Sequence, residues 1–204
     1  MIAEETRKVV AKDEEEASIK EAEVSEVKGH ADAELGKAEP ALKAAVREVA
    51  KMDVQSLYQL KSVKVPGKAL VQILEMVQII LKGPKPKKPN DKKKAEADPL
   101  GYFELSQKTL FKEPKKFLTD LQEFNFENQE DAIVEKVRVL YSKTKKEEVA
   151  KSTKDLLPVH MWIGASIEYH DVLKIVNPLR ETAAEMSAKL DVVQKKLNEQ
   201  RAKL

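Results

Sequence analysis

In KGHADAELGKAEPALKAAVREVAKM, residues 28–52, apolar side chains return every seven residues in two rows. Ala31, Ala38, Ala45 and Met52 form one row, and Leu35, Leu42 and Val49, four residues on, form the other. Two such rows mark a helix that buries one seam against a partner helix. Followed backwards, the first row continues through Val24, Ala17 and Val10, while the second turns polar at Lys28, Glu21 and Glu14. The seam is well formed near residue 50 and poorly locked towards the N-terminus.

The other end of the chain repeats the pattern. Tyr169, Val176, Ala183, Leu190, Leu197 and Leu204 hold one heptad position, and Val172, Leu179, Met186, Val193 and Gln200 stand three residues on. Each ladder covers roughly 45–50 residues, about 70 Å at 1.5 Å per residue. Matched lengths favour antiparallel pairing within one chain, whereas pairing in trans or two arms of a helical bundle stays open. Pro40 and Pro178 sit one in each ladder. Each removes an amide donor and should bend its helix, and the two are candidates to face each other across the coil.

Between the ladders lie seven of the nine prolines, which cut the middle into short pieces. The expected fold is all-α: a long antiparallel intrachain coiled-coil hairpin capped by a small globular bundle of about six short helices. Residues 1–52 are the first coil helix, 53–158 the helical head and 159–204 the returning helix. Within the head, Asp53 caps a short helix to Ser62, and Pro66 opens an apolar helix that stops at Gly83. That helix, with Ala69, Leu70, Ile73, Leu74, Met76, Val77, Ile80 and Leu81, is the expected core. Further helices are expected over 102–111, 114–124, 129–141 and 146–157. Phe103, Leu110, Phe117, Leu121, Ile133, Val137 and Leu140 are their core candidates. GPKPKKPNDKKKAEADPLG, residues 83–101, has no apolar period and reads as a solvated loop.

Composition narrows the function classes. Charged residues make up 35% and aromatics 5% of the 204, which argues for elongation and against a compact enzyme. The chain's net charge is only +2, but it is unevenly spread. The head has 21 basic and 16 acidic residues, the first coil helix 9 and 13, and the returning segment 7 and 6. With no cysteine there is no disulfide framework or thiolate metal site, which fits a reducing compartment. The start MIAEETRKVV lacks the apolar stretch of a signal peptide, and the longest apolar tract, 69–81, is broken by Gln72, Glu75 and Gln78. No membrane partner is expected.

Catalytic and cofactor signatures fail one by one. Gly67 and Lys68 would open a phosphate loop only with glycine at Ser62 and Ser or Thr at Ala69. His30, His160 and His170 lack metal-ligand spacing, and no nucleophile elbow or tuned carboxylate pair stands out. Nucleic acid is not an expected partner, because the lysines of 83–101 lack interleaved aromatics. What remains is a basic head suited to docking on an acidic protein surface with modest, salt-sensitive affinity.

Four stretches carry a resemblance: EPALKAAVREV (39–49), LYQLKSVKVPGKALVQILEMVQIILKG (57–83), VEKVRVLYSK (134–143) and HMWIGASIEYHDVLKIVNPLRE (160–181). In order they place Pro40, the Lys61-Ser62 and Pro66 turn, Trp162, and Pro178-Leu179-Arg180. The set resembles the stalk and microtubule-binding domain of dynein heavy chains, over nearly the whole chain. The resemblance implies an antiparallel stalk and a six-helix head in the groove between α- and β-tubulin. The ATPase ring, with its ATP and Mg, would lie beyond both ends, leaving this segment non-enzymatic, without cofactor, and a cut fragment that begins mid-coil.

Tubulin contacts in the family map here to Lys61 and Lys64, to Lys108 and Lys112, and to Glu147 and Lys151, with Lys115 and Lys116 as weaker candidates. Lys151 stands where cytoplasmic forms often carry arginine, and loses that residue's planar fork. Small alanines and polar rungs make neighbouring coil registers similar in energy, so one helix can slide about half a heptad, roughly 5–6 Å. In the family reading, nucleotide state in the ring selects the register and the register sets tubulin affinity. The 163–181 stretch looks more axonemal than cytoplasmic, implying cilia or flagella, where a leucine-rich-repeat light chain is a further candidate partner. The competing class is a structural spacer with a helical cap, expected to dimerise and to ignore salt.

Overall fold

The computed structural model describes residues 2–203, and every regular element among them is helical. In chain order these are α1 (Ile2–Ala50), α2 (Val54–Leu60), α3 (Lys68–Ile80), α4 (Lys92–Ala97), α5 (Tyr102–Lys108), α6 (Pro114–Gln122), α7 (Asp131–Lys143), α8 (Lys146–Ser152) and α9 (Leu157–Ala202). Short 3-10 turns at Phe126–Asn128 and Lys154–Leu156 precede α7 and α9. The chain divides into two compact units, one of Met1–Lys37 with Val172–Leu204, the other of Ala38–Asp171. This division falls well inside both long helices, because their head-side turns bury Val49, Val159, Trp162 and Ile163 completely.

In the first unit the seven-residue rows are the buried ones. Val10, Ala17, Val24 and Ala31 on α1, and Val176, Ala183, Leu190 and Leu197 on α9, are each below 8% exposed. Val10, Ala17, Leu190 and Leu197 make one cluster, with Val193 packed against it. Leu204, which ends the second ladder, lies outside the described residues. Glu14, a polar rung, is not left bare: the Arg201 guanidinium donates to its Oε1 through Nε and Nη2, at 2.8 and 2.5 Å. Pro178 lies within α9 with its ring exposed.

The second unit is built around α3. Ile73, Leu74, Met76 and Val77 are fully buried, and α5, α7 and α8 all pack on this helix while α2 packs on α6. A helix apolar nearly all round must be enclosed. Its buried polar residue, Gln78, donates from Nε2 to the Ser106 and Thr109 hydroxyls at 3.0 and 3.1 Å. Trp162 on α9 is enclosed as well, donating from Nε1 to the Leu121 carbonyl at 3.0 Å, with the Phe124 and Phe126 rings each 5.4 Å away. Ala38, Leu42, Ala45 and Val49 form the buried row of α1 in this unit, and Pro40 is exposed.

Local chemistry sets the element ends. Asp53 accepts from the Gln55 amide at 3.0 Å and starts α2, while Pro114 opens α6. Buried Asp98 accepts from the Phe103 and Glu104 amides, both at 3.1 Å, and so caps α5 from outside it. The expected loop 83–101 needs correction, because its second half contains α4. Asp91 takes the Lys94 amide at 2.9 Å, and lysine and alanine then propagate the turn. With no buried residue, α4 leaves no apolar period to read. Other ends shift by a few residues: α5 stops at Lys108, α6 at Gln122 and α8 at Ser152. Of the core candidates, Phe103, Phe117, Leu121 and Val137 are buried, whereas Leu110, Ile133 and Leu140 are half-buried.

Two substitutions probe this packing. Trp162→Ala should cost about 3–5 kcal/mol of stability, and Trp162→Phe about 1–3 kcal/mol through the stranded Leu121 carbonyl. Urea titrations followed by circular dichroism read both, and an unchanged midpoint for Trp162→Phe would deny the hydrogen bond any weight. Gly101 has φ +86, and a Cβ there would run into the Lys87 carbonyl oxygen. Gly101→Ala should therefore cost at least about 1 kcal/mol from its left-handed backbone alone, and an unchanged urea midpoint would contradict that.

Candidate functional site

Lys61 closes α2, and Lys64 lies in the turn that leads to Pro66 and α3. That turn is held by Gln107 of α5, whose Nε2 donates to the carbonyls of Lys61 at 2.9 Å and Val63 at 3.0 Å. Because Lys108 follows Gln107, the same contact brings the 61–64 turn and the end of α5 together. Lys108 itself is partnered, donating to Glu104 at 2.7 Å one turn back. Lys112 sits past it in the turn before α6, and both lysines line a shallow hollow of about 290 Å³ with Phe117 at its wall.

Lys116 rims that hollow too but is held by Asp120 at 2.9 Å, which raises its ammonium above the ordinary lysine range. An ammonium occupied by an intrachain carboxylate has less to offer a partner. Glu147 and Lys151 stand one turn apart on α8, which is anchored on α3 through fully buried Val149. They reach the other candidates through α3, the helix on which α5 also packs. Lys61, Lys64, Lys112 and Lys151 are all exposed, and among the described residues none is in an ion pair.

Sequence reasoning overlooked the groups that hold these turns. Gln107 looks like any surface glutamine, and its two carbonyl partners lie 46 and 44 residues away in the chain. The links from α7 to α9 were also missed. Arg138 grips Asp171 with Nη1 at 3.0 Å and Nη2 at 2.5 Å, a two-pronged contact that raises the guanidinium pKa further. One residue away, His170 Nε2 lies 2.6 Å from Asp131. The other buried histidine, His160, contacts the Thr144 carbonyl at 2.9 Å and stacks on Tyr141 at 4.7 Å. Both rings are thus occupied with packing and hydrogen bonding.

Comparison with known proteins identifies the family. The family described as the microtubule-binding stalk of the dynein motor matches residues 3–204. Human dynein axonemal heavy chain 1 is 30% identical over 206 aligned positions that take in the whole chain, which covers 5% of that protein. The gamma chain of the Chlamydomonas reinhardtii flagellar outer arm is 28% identical over 98% of the chain and 4% of its own length. Mouse dynein axonemal heavy chain 3 is 26% identical over 95% of the chain and 5% of its own length. The chain therefore spans about one-twentieth of the relatives it matches, and it belongs to the dynein microtubule-binding stalk family.

Proposed function

We propose that this chain is the stalk and microtubule-binding tip of an axonemal dynein heavy chain, in which the α2–α8 bundle docks on tubulin. The observation that carries the reading is the set of unpaired lysines: Lys61 and Lys64 on the turn held by Gln107, Lys112 in the turn after α5, and Lys151 on α8, which packs on α3. Exposed, unmatched cations on a rigid frame favour an acidic partner, because little side-chain or loop order must be created on contact. Lys108 and Glu147 complete the surface, with Lys108 able to exchange Glu104 for a tubulin carboxylate. The relatives' names place the whole motor in cilia or flagella, where ATP would be consumed in a ring outside this segment.

In this reading α1 and α9 pair as an antiparallel coiled-coil hairpin, and their register relays the ring's nucleotide state. Support comes from the seam itself. Four of its α1 rungs, Ala17, Ala31, Ala38 and Ala45, are alanines, which bury little area and fit several partners in turn. The ion pair of Glu14 with Arg201 is exposed and contributes at most about 1 kcal/mol. A half-heptad slide gives up little.

Co-sedimentation with microtubules tests the docking. Binding should weaken steadily with salt, and Lys61→Glu or Lys151→Glu should each weaken it about tenfold or more, while Lys189→Glu on α9 leaves it unchanged. Loss of binding in all three variants alike would point to unspecific charge attraction, and no pelleting of the parent at low salt would favour the spacer. The relay is tested by cysteine pairs. Ala17→Cys with Leu197→Cys should trap the register seen here, and Glu21→Cys with Leu197→Cys one displaced by half a heptad. Microtubule affinities of the two oxidised proteins should differ by about tenfold or more, within the usual range of allosteric coupling; equal affinities would rule out register control.

A further inference from the structure

We propose that the lysine-rich segment 85–94 is a second docking surface of the head, shaped for an acidic, extended stretch of polypeptide. Lys85, Lys87, Lys88, Lys92, Lys93 and Lys94 are all exposed, and among the described residues none is in an ion pair. By contrast, Lys37, Lys43, Lys51, Lys108 and Lys116 each meet a carboxylate within one helical turn. Here the only acid between 85 and 94 is Asp91, and its carboxylate is committed to capping α4. Six unmatched positive charges in ten residues set up a local potential that the near-neutral chain as a whole does not.

The segment is also held in place. Pro84, Pro86 and Pro89 restrict its backbone, and Pro89 is buried. Gly101, in its left-handed conformation, packs directly on the Lys87 carbonyl. The three lysines after Asp91 are carried by α4 itself. Binding would therefore order a partner without first ordering the loop. Beyond α4, Pro99 and Leu100 share a hollow of about 480 Å³ with Pro66 and with Lys68 at the start of α3.

The chemistry favours polypeptide over the other polyanions. Single-stranded nucleic acid is held by stacking as well as charge, and residues 82–101 contain no aromatic side chain. A lipid surface takes apolar anchors beside the cations, and Leu100 is the segment's one large apolar side chain. Lysine ammoniums, as flexible point charges, suit a chain of glutamates or aspartates that has no fixed geometry.

Fluorescence anisotropy with a labelled decaglutamate peptide tests this without microtubules, so the outcome is independent of the docking proposed above. The parent should bind in a salt-sensitive way, and changing all six lysines to glutamine should weaken binding about tenfold or more. The six-arginine counterpart should bind like the parent, Lys61→Glu should bind the peptide as well as the parent does, and circular dichroism checks that each variant is folded. Undiminished binding by the glutamine variant, or no binding by the parent at low salt, would overturn the proposal. Tighter binding of an oligothymidylate or of anionic vesicles through the same lysines would overturn the assignment to polypeptide. A head that pellets with microtubules yet ignores the peptide would sink this inference alone.

Discussion

Enclosure of α3 is the constraint on which the head depends. Four side chains on this helix, Ile73, Leu74, Met76 and Val77, reach zero exposure. Each such burial is worth about 1.5–3 kcal/mol, more than any surface ion pair in the chain can supply. Three helices, α5, α7 and α8, must therefore lie against α3. Once they do, the turns between them have few places to go. The hydrogen bonds of Gln78 to Ser106 and Thr109 satisfy the buried amide of α3 and fix α5 against it. Gln107, next in line on α5, then ties down the 61–63 turn. The lysine-bearing segments inherit their positions from the enclosure of this apolar helix.

The long helices follow a different energetic logic. In the second unit they contribute Val49, Trp162 and Ile163, large side chains at zero exposure, whereas the α1 seam of the first unit is made of alanines and valines. Large-residue packing is sensitive to displacement because each knob fits one hole, and alanine packing is far less so. Two-pronged Arg138–Asp171 and the His170–Asp131 contact add directional bonds where α9 meets α7. Directional, well-filled contacts thus concentrate in the head, and forgiving ones in the seam.

Much of this was legible in the sequence because it is written in period and punctuation. The seven-residue rows, the apolar run 69–81, Asp53 as a cap and Pro114 as a helix start all carry local signals, and α1, α2, α3, α6 and α9 fall where those signals lie. What escaped was non-local or featureless. Helix α4 has no buried face to generate a period, and its one signal, Asp91 before three lysines, reads equally well as loop. Asp98 caps α5 across an intervening turn, and Gln107 reaches carbonyls more than forty residues back. Such contacts depend on which turns the core brings together, and no spacing rule contains that. The candidate lysines came from resemblance, but their division into paired and unpaired members needed coordinates.

That division gives the surface its character. Lys108 and Lys116 are matched by carboxylates one turn away, while Lys61, Lys64, Lys112 and Lys151 stand open. Unmatched cations raise the free energy of the isolated head slightly through mutual repulsion, and a carboxylate-rich partner relieves it. The most direct measurement is zero-length carbodiimide crosslinking of the head to microtubules, with the joined residues identified by mass spectrometry. The account predicts crosslinks from Lys61, Lys64, Lys112 and Lys151 to acidic residues on the folded body of tubulin. Crosslinks confined to lysines of α1 and α9, such as Lys20 and Lys189, would contradict it.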